Sequence, residues 1–254
     1  MLGEVIGVAR SERTLLEAVH LGAADRTTDD PLEAVADADL VYIATPVSTI
    51  ARSITVIAPA LRPGALVTDA GSTKREIVAA ARHLPKEVSF VGGHPMAGSE
   101  QAGVGAARAS LFHGRTYLLT PTPGADAALA RFRHVVEAIG ARPVIVDADT
   151  HDHMLAHTSH LPHLVAAALC RSIGETCAAR DFVGNGLRDT TRIAEGPAEV
   201  WREILLTNAD EVLNALEQFR EEIDAYLNAL DARDESAITR LLEDARECRM
   251  RMGD

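Results

Sequence analysis

Through the first 148 residues, short unbroken runs of apolar and β-branched residues alternate with stretches whose apolar positions recur every three or four. The runs are Glu4–Ala9, Leu40–Thr45, Ala65–Asp69, Val88–Gly92, Thr116–Thr120 and Pro143–Asp147, and they predict six strands. Helical stretches such as Glu12–Leu21 and Lys74–His83 lie between them. Strands that read as continuous apolar runs, without strict alternation, suit a parallel sheet covered on both faces. This order predicts a doubly wound α/β domain over residues 1–148.

After about Asp149 the texture changes. Residues 151–179 and 198–250 carry helical periodicity, broken at Gly184-Asn185-Gly186 and Gly196-Pro197. Leu206, Val212, Leu213, Leu216, Phe219, Ile223, Leu227 and Leu230 recur at threes and fours. This predicts long amphipathic helices in a second, all-helical domain over residues 149–254. There are no internal repeats and no low-complexity tract, and no further regulatory module is expected after the last helix.

Composition narrows the class. The chain has 254 residues, 47% apolar and 24% charged, enough to bury a core without staples and outside disordered or fibrous usage. Its formal net charge is -12, with 14 basic and 16 acidic groups up to residue 148 and 11 against 21 after it. Nucleic acid and anionic membranes need a basic face, so neither is an expected partner. Cys170, Cys177 and Cys248 show no C-x-x-C spacing, which argues against a disulfide scaffold or a zinc ribbon. No apolar run approaches the ~20 residues needed to span a bilayer. Met1-Leu2-Gly3-Glu4 lacks the start of a signal peptide, so a cytoplasmic location is expected.

A sheet of this kind normally opens with a strand, a glycine-rich turn and a helix whose N-terminus cradles a pyrophosphate. No G-x-G-x-x-G stands near the start. Glu4–Ala9 reads instead as the second strand of such a fold, with the ribose-reading position at its end. The chain is therefore expected to begin one βα unit late. A misplaced start, a truncation and a true loss of the phosphate loop all give that pattern.

Four segments carry chemistry. In Gly92-Gly93-His94-Pro95 an imidazole stands at a strand end, where open α/β sheets bind ligands. Its ordinary pKa near ~6.5 suits proton abstraction, although a buried loop histidine bonded to backbone has the same pattern. Ser72, in Thr68-Asp69-Ala70-Gly71-Ser72-Thr73-Lys74, is either a helix N-cap or a hydroxyl offered to a ligand. His151, His153, His157, His160 and His163 fall within thirteen residues, and three share a helical face. No carboxylate or cysteine is placed to complete a metal set and H-E-x-x-H is absent, so core or cleft histidines are expected and no metal. Arg188 and Arg192, four apart, are either a carboxylate clamp or surface ion-pair partners.

Together the segments Ala38–Val47 (ADLVYIATPV), Val67–Lys74 (VTDAGSTK), Gly92–Glu100 (GGHPMAGSE), Leu111–Pro123 (LFHGRTYLLTPTP), His151–Leu169 (HD…SHLPHLVAAAL), Gly186–Ala194 (GLRDTTRIA) and Pro197–Asn208 (PAEVWREILLTN) resemble the prephenate/arogenate dehydrogenase family of tyrosine biosynthesis, in order and spacing along nearly the whole chain. The resemblance implies a Rossmann-like nicotinamide-binding domain, here without its first strand and glycine loop, followed by an all-α dimerisation domain that forms a homodimer. It implies an oxidoreductase that decarboxylates prephenate to 4-hydroxyphenylpyruvate, with hydride transfer to NAD or NADP. By carry-over His94 accepts the hydroxyl proton, and Ser72 holds that hydroxyl and the histidine. His163, Ser159, His160, His151, Glu100, Arg188 and Arg192 line or grip the substrate, and Trp201 stands near the site or in a helix core. Ala9, Arg10, Ser11, Thr45, Pro46, Val47 and Gly71 would contact the cofactor. An arginine in place of an acid after the first strand favours NADP over NAD. An arogenate-specific enzyme and a non-catalytic dimeric paralogue without the phosphate loop are the alternatives.

Overall fold

The computed structural model describes residues 3–98, 103–174 and 180–253. It divides into two compact units, Met1–Asn208 and Ala209–Asp254. In the first unit, β1 (Ile6–Val8) and β2 (Arg26–Thr28) pair in parallel as a two-stranded sheet, joined by α1 (Glu12–His20). The apolar pattern does not predict β2, because Arg26-Thr27-Thr28 contains no apolar residue. The short α2 (Pro31–Val35) follows, with Asp30 accepting from the Leu32 amide at 2.8 Å and proline at its first position.

The second sheet has the order β3 (Leu40–Ile43), β4 (Leu66–Asp69), β5 (Ser89–Pro95), β6 (Thr116–Pro121), β7 (Arg142–Ile145). Here the expectation of a wholly parallel sheet is corrected: β6 runs antiparallel to β5, while the other neighbours are parallel. A parallel return needs a long crossover, usually a helix. Among the described residues the β5–β6 connection carries only a single 3₁₀ turn, Val104–Ala106. Pairing with β6 also carries β5 past Gly92, with His94 opposite Leu118 and Pro95 opposite Tyr117.

Each face of this sheet is covered. Ile50 and Ile54 of α3 (Val47–Ile57) and Ile77 of α4 (Arg75–Ala81) pack with Val67 and Phe90. Phe132 and Val136 of α5 (Asp126–Ala138) pack with Leu66, Val91 and Leu119. Successive residues Leu66 and Val67 thus serve opposite faces, which is why both are apolar and β4 shows no in–out alternation.

The first unit continues through α6 (Ala148–Leu155), one π-helical turn (Ala156–His160), α7 (Leu161–Ile173), α8 (Asn185–Thr191), a 3₁₀ turn (Arg192–Glu195) and α9 (Ala198–Thr207). The second unit is α10 (Ala209–Asp231) and α11 (Glu235–Met252), the latter capped by Asp234. The stripe read from the sequence is split on α10. Val212 is buried and Leu216 and Phe219 are half-buried, while Leu213, Ile223, Leu227 and Leu230 are exposed. Among the described residues no helix is long and apolar enough to cross a membrane.

Candidate active site

The site is assembled at the carboxyl ends of β4 and β5. Asp69, the last residue of β4, is fully buried. Its Oδ2 accepts the Gly71 amide at 2.7 Å and the Lys74 ammonium, and its Oδ1 accepts the Gly93 amide at 3.0 Å. One carboxylate therefore ties the turn after β4 to the strand that carries His94. Gly93 is required by packing, because a Cβ there would stand 2.5 Å from the Asp69 carbonyl oxygen. Gly71 is less tightly held, since the atom 2.7 Å from where its Cβ would sit is the terminal Cδ1 of Ile77, a side chain that can shift. Lys74 is wholly buried, and burial pulls its ammonium below its ordinary range against the opposing pull of Asp69 and Asp152. Such a pair is weak evidence for stability, but removing either partner strands the other charge.

Helix α4 begins at Arg75, and its cap comes from across the fold. Asp152 of α6 accepts the Lys74 amide through Oδ1 at 2.7 Å and the Arg75 amide through Oδ2 at 2.9 Å. The N-cap reading of Ser72 is thereby corrected. Ser72 lies outside the helix, half-buried in the turn between Gly71 and Thr73, and a remote carboxylate satisfies the orphan amides in its place.

The same carboxylate sets a histidine chain. Asp152 Oδ1 lies 2.7 Å from His151 Nδ1, and His151 Nε2 lies 2.9 Å from His94 Nδ1. A carboxylate at Nδ1 places the His151 proton there and makes its Nε2 an acceptor. His94 must then donate from Nδ1, which leaves the lone pair of its Nε2 for chemistry. His151, expected to touch substrate, is buried behind His94. The His94 imidazole is held well below its ordinary pKa, first by burial and then by the neighbouring His151, Lys74 and His160. It is a neutral base throughout the physiological range, not one balanced near ~6.5.

The π turn carries His160 to the same cluster, and His163 follows on α7. His160 is buried, and burial pushes its imidazole down to about 4, with Asp152 opposing and His151 adding to the shift. His163 stacks on Trp201, ring centroids 3.5 Å apart and planes 10° apart, and burial lowers its pKa too. Gly196 closes over this pair: a Cβ there would lie 2.4 Å from Trp201 Nε1. Trp201 thus packs against both His163 and His160. Ser159 is half-buried on the same turn. Arg188 and Arg192 are exposed and line a hollow of about 390 Å³ with Cys170, Ile173 and Glu195. Glu100 lies outside the described residues.

The residues expected at the cofactor sit at strand ends. Ala9, Arg10 and Ser11 follow β1 and lead into α1, whose N-terminus has no side-chain cap bond. Thr45, Pro46 and Val47 follow β3, and Gly71 follows β4, so the two turns lie side by side at the sheet's carboxyl edge. Helix α3 likewise lacks a side-chain cap bond, while the Ser48 amide faces Glu203 of α9 at 3.4 Å. The exposed Thr45-Pro46 turn, the uncapped start of α1 and Arg10 fit the ribose and nicotinamide ends of a dinucleotide.

Residues 2–145 match the family described as prephenate dehydrogenase, nucleotide-binding domain. Residues 147–244 match the one described as prephenate dehydrogenase, dimerization domain. A prephenate dehydrogenase of Bacillus subtilis (strain 168) is 34% identical over 252 residues, covering 96% of this chain and 68% of the relative. One from Lactococcus lactis is 35% identical, covering 85% of this chain and 61% of the relative. The solved prephenate dehydrogenase of Aquifex aeolicus in complex with hydroxyphenyl propionate and NAD+ superposes with a TM-score of 0.89 at 30% identity, covering 99% of this chain and 90% of that one. Synechocystis arogenate dehydrogenase gives 0.85 at 31%, covering 97% and 90%.

Proposed function

The chain belongs to the prephenate dehydrogenase family of NAD(P)-dependent oxidoreductases in tyrosine biosynthesis, and from that premise we propose that it oxidatively decarboxylates prephenate with His94 as the base. The observation that carries the reading is the chain Asp152–His151–His94, which fixes one tautomer and frees His94 Nε2. His94 takes the ring hydroxyl proton at Nε2. The positive charge that forms is shared through Nδ1–H with His151 and, behind it, the Asp152 carboxylate. Bound NAD(P) would supply the hydride acceptor for the carbinol carbon, and with the hydroxyl proton on His94 the ring carboxylate would leave as CO2. Aromatisation drives the step, so the protein's part is alignment and a neutral base. Ser72, beside Gly71 in the turn that Asp69 anchors, holds the hydroxyl against His94. Arg192, with Arg188, collects a carboxylate of the anionic substrate, and His163, Ser159 and His160 line the ring pocket.

Ala9, Arg10, Ser11, Thr45, Pro46, Val47 and Gly71 would hold the cofactor, and we assign NADP ahead of NAD because Arg10 can meet a 2′-phosphate. The exposed face of α10 supports a homodimer formed through the helical domain. The test is an assay of the full-length protein with prephenate and arogenate, each with both cofactors. We expect prephenate-dependent reduction with a lower KM for NADP. No turnover of either substrate would favour the non-catalytic reading, and a lower KM for NAD would remove the cofactor assignment.

A further inference from the structure

Asn208, the residue after α9, is 4% exposed, and its side chain reaches into the histidine cluster. Its Nδ2 lies 2.8 Å from the main-chain oxygen of Asp152 and 3.3 Å from Nδ1 of His160. The carbonyl can only accept, so the amide nitrogen must face it. Turning the amide over would set two oxygens against each other. Because that nitrogen only donates, His160 Nδ1 must be the acceptor. The orientation leaves Asn208 Oδ1 buried without a partner among the described residues. An orphaned buried acceptor is costly, so the two donated bonds hold the side chain against that cost.

We propose that Asn208 is a positioning residue that fixes His160 as the Nε2–H tautomer, a neutral hydrogen-bond donor beside the catalytic histidine. The groups facing His160 are Asp152, His151 and His94, with Trp201 edge-on at a centroid distance of 6.4 Å. The Asp152 carboxylate is already taken up by the Lys74 and Arg75 amides and by His151. Asn208 alone of these neighbours contacts a nitrogen of the His160 ring at hydrogen-bond distance, and the Thr207–Thr73 bond of 3.0 Å anchors the segment that carries it. A ring held this way offers Nε2–H to an oxygen of an anionic substrate and carries no charge of its own. The consequence for binding rests on the reading of this cleft as the substrate site, whereas the tautomer does not.

The experiment is nitrogen-15 NMR of the histidine side chains, with the His160 signals assigned by loss in His160→Gln. The unaltered protein should show the Nε2–H tautomer for His160 at pH 7. Asn208→Asp puts a carboxylate where the donor was. It should move the proton to Nδ1 and raise the pH at which the ring becomes charged. Asn208→Ala should give mixed tautomers and weaken hydroxyphenyl propionate binding about fivefold to tenfold, the effect of one modest hydrogen bond. An Nδ1–H tautomer in the unaltered protein, or a tautomer and titration unchanged in Asn208→Ala, overturns the proposal. Because the first of these needs no substitution at Asn208, misfolding of either Asn208 variant leaves the question decided. Loss of ligand binding in the unaltered protein with the Nε2–H signature intact would count against the functional reading alone.

Discussion

At the scale of residues, the chemistry is set by which nitrogen of each imidazole carries its proton. Asp152 settles His151, His151 settles His94, and Asn208 settles His160. Arg192 is different in kind, being exposed. Arg192→Gln therefore leaves no buried charge behind it. The loss is a charge-assisted bond of about 1.5–3 kcal/mol, which predicts a 10- to 100-fold rise in the KM for prephenate with little change in kcat. An unchanged KM in steady-state kinetics would move the substrate carboxylate elsewhere. His94, His163 and the arginines stand out in the sequence because each sits in a short motif. Asp69 and Asn208 do not, since their roles depend on partners 24 and 48–56 residues away. The signal for Asp152 was its place next to a histidine, which says nothing of the helix it caps.

Elements explain why those residues meet. The π turn widens the helix between α6 and α7 where His157, Ser159 and His160 stand, a distortion that often marks functional sites. Periodicity read this region as one helix and did not distinguish the wide turn, because three and four spacings persist through it. The antiparallel β5–β6 pair was also missed, since an apolar run does not encode the direction of its neighbour. Asp152 joins elements: it caps α4 from α6 while gripping His151. Asp152→Asn removes a charged acceptor from two buried amides and an imidazole. We expect a loss of about 3 kcal/mol, read from the denaturant midpoint at unchanged m, together with a lower kcat from the freed His151 tautomer. A change within about 0.5 kcal/mol would show that the α4 amides find other partners.

For the whole molecule, the net charge of -12 is concentrated in the helical half, and the second unit keeps an apolar face on α10. Leu213 is 64% exposed, Leu227 57% and Leu230 60%, too much apolar surface along one helix for water alone. Sedimentation at micromolar concentration should give a dimer, and a monomer would contradict the assembly. The α/β class and the passage to helices were legible because each rests on periodicity. The split into two sheets was not, because β2 has no apolar signature. The account turns on His94, and its most direct test is the pH dependence of kcat and kcat/KM for prephenate in the parent and in His94→Asn, with hydroxyphenyl propionate binding measured alongside. The base must be unprotonated to act, and its pKa is held down, so the acid limb of the free enzyme should fall below ~6.5, with activity lost as pH drops through it. His94→Asn should lower kcat by ~10²–10⁴ and remove that limb while ligand affinity stays within about threefold. A variant that keeps its kcat, or loses rate only in proportion to binding, would contradict the role given to this histidine.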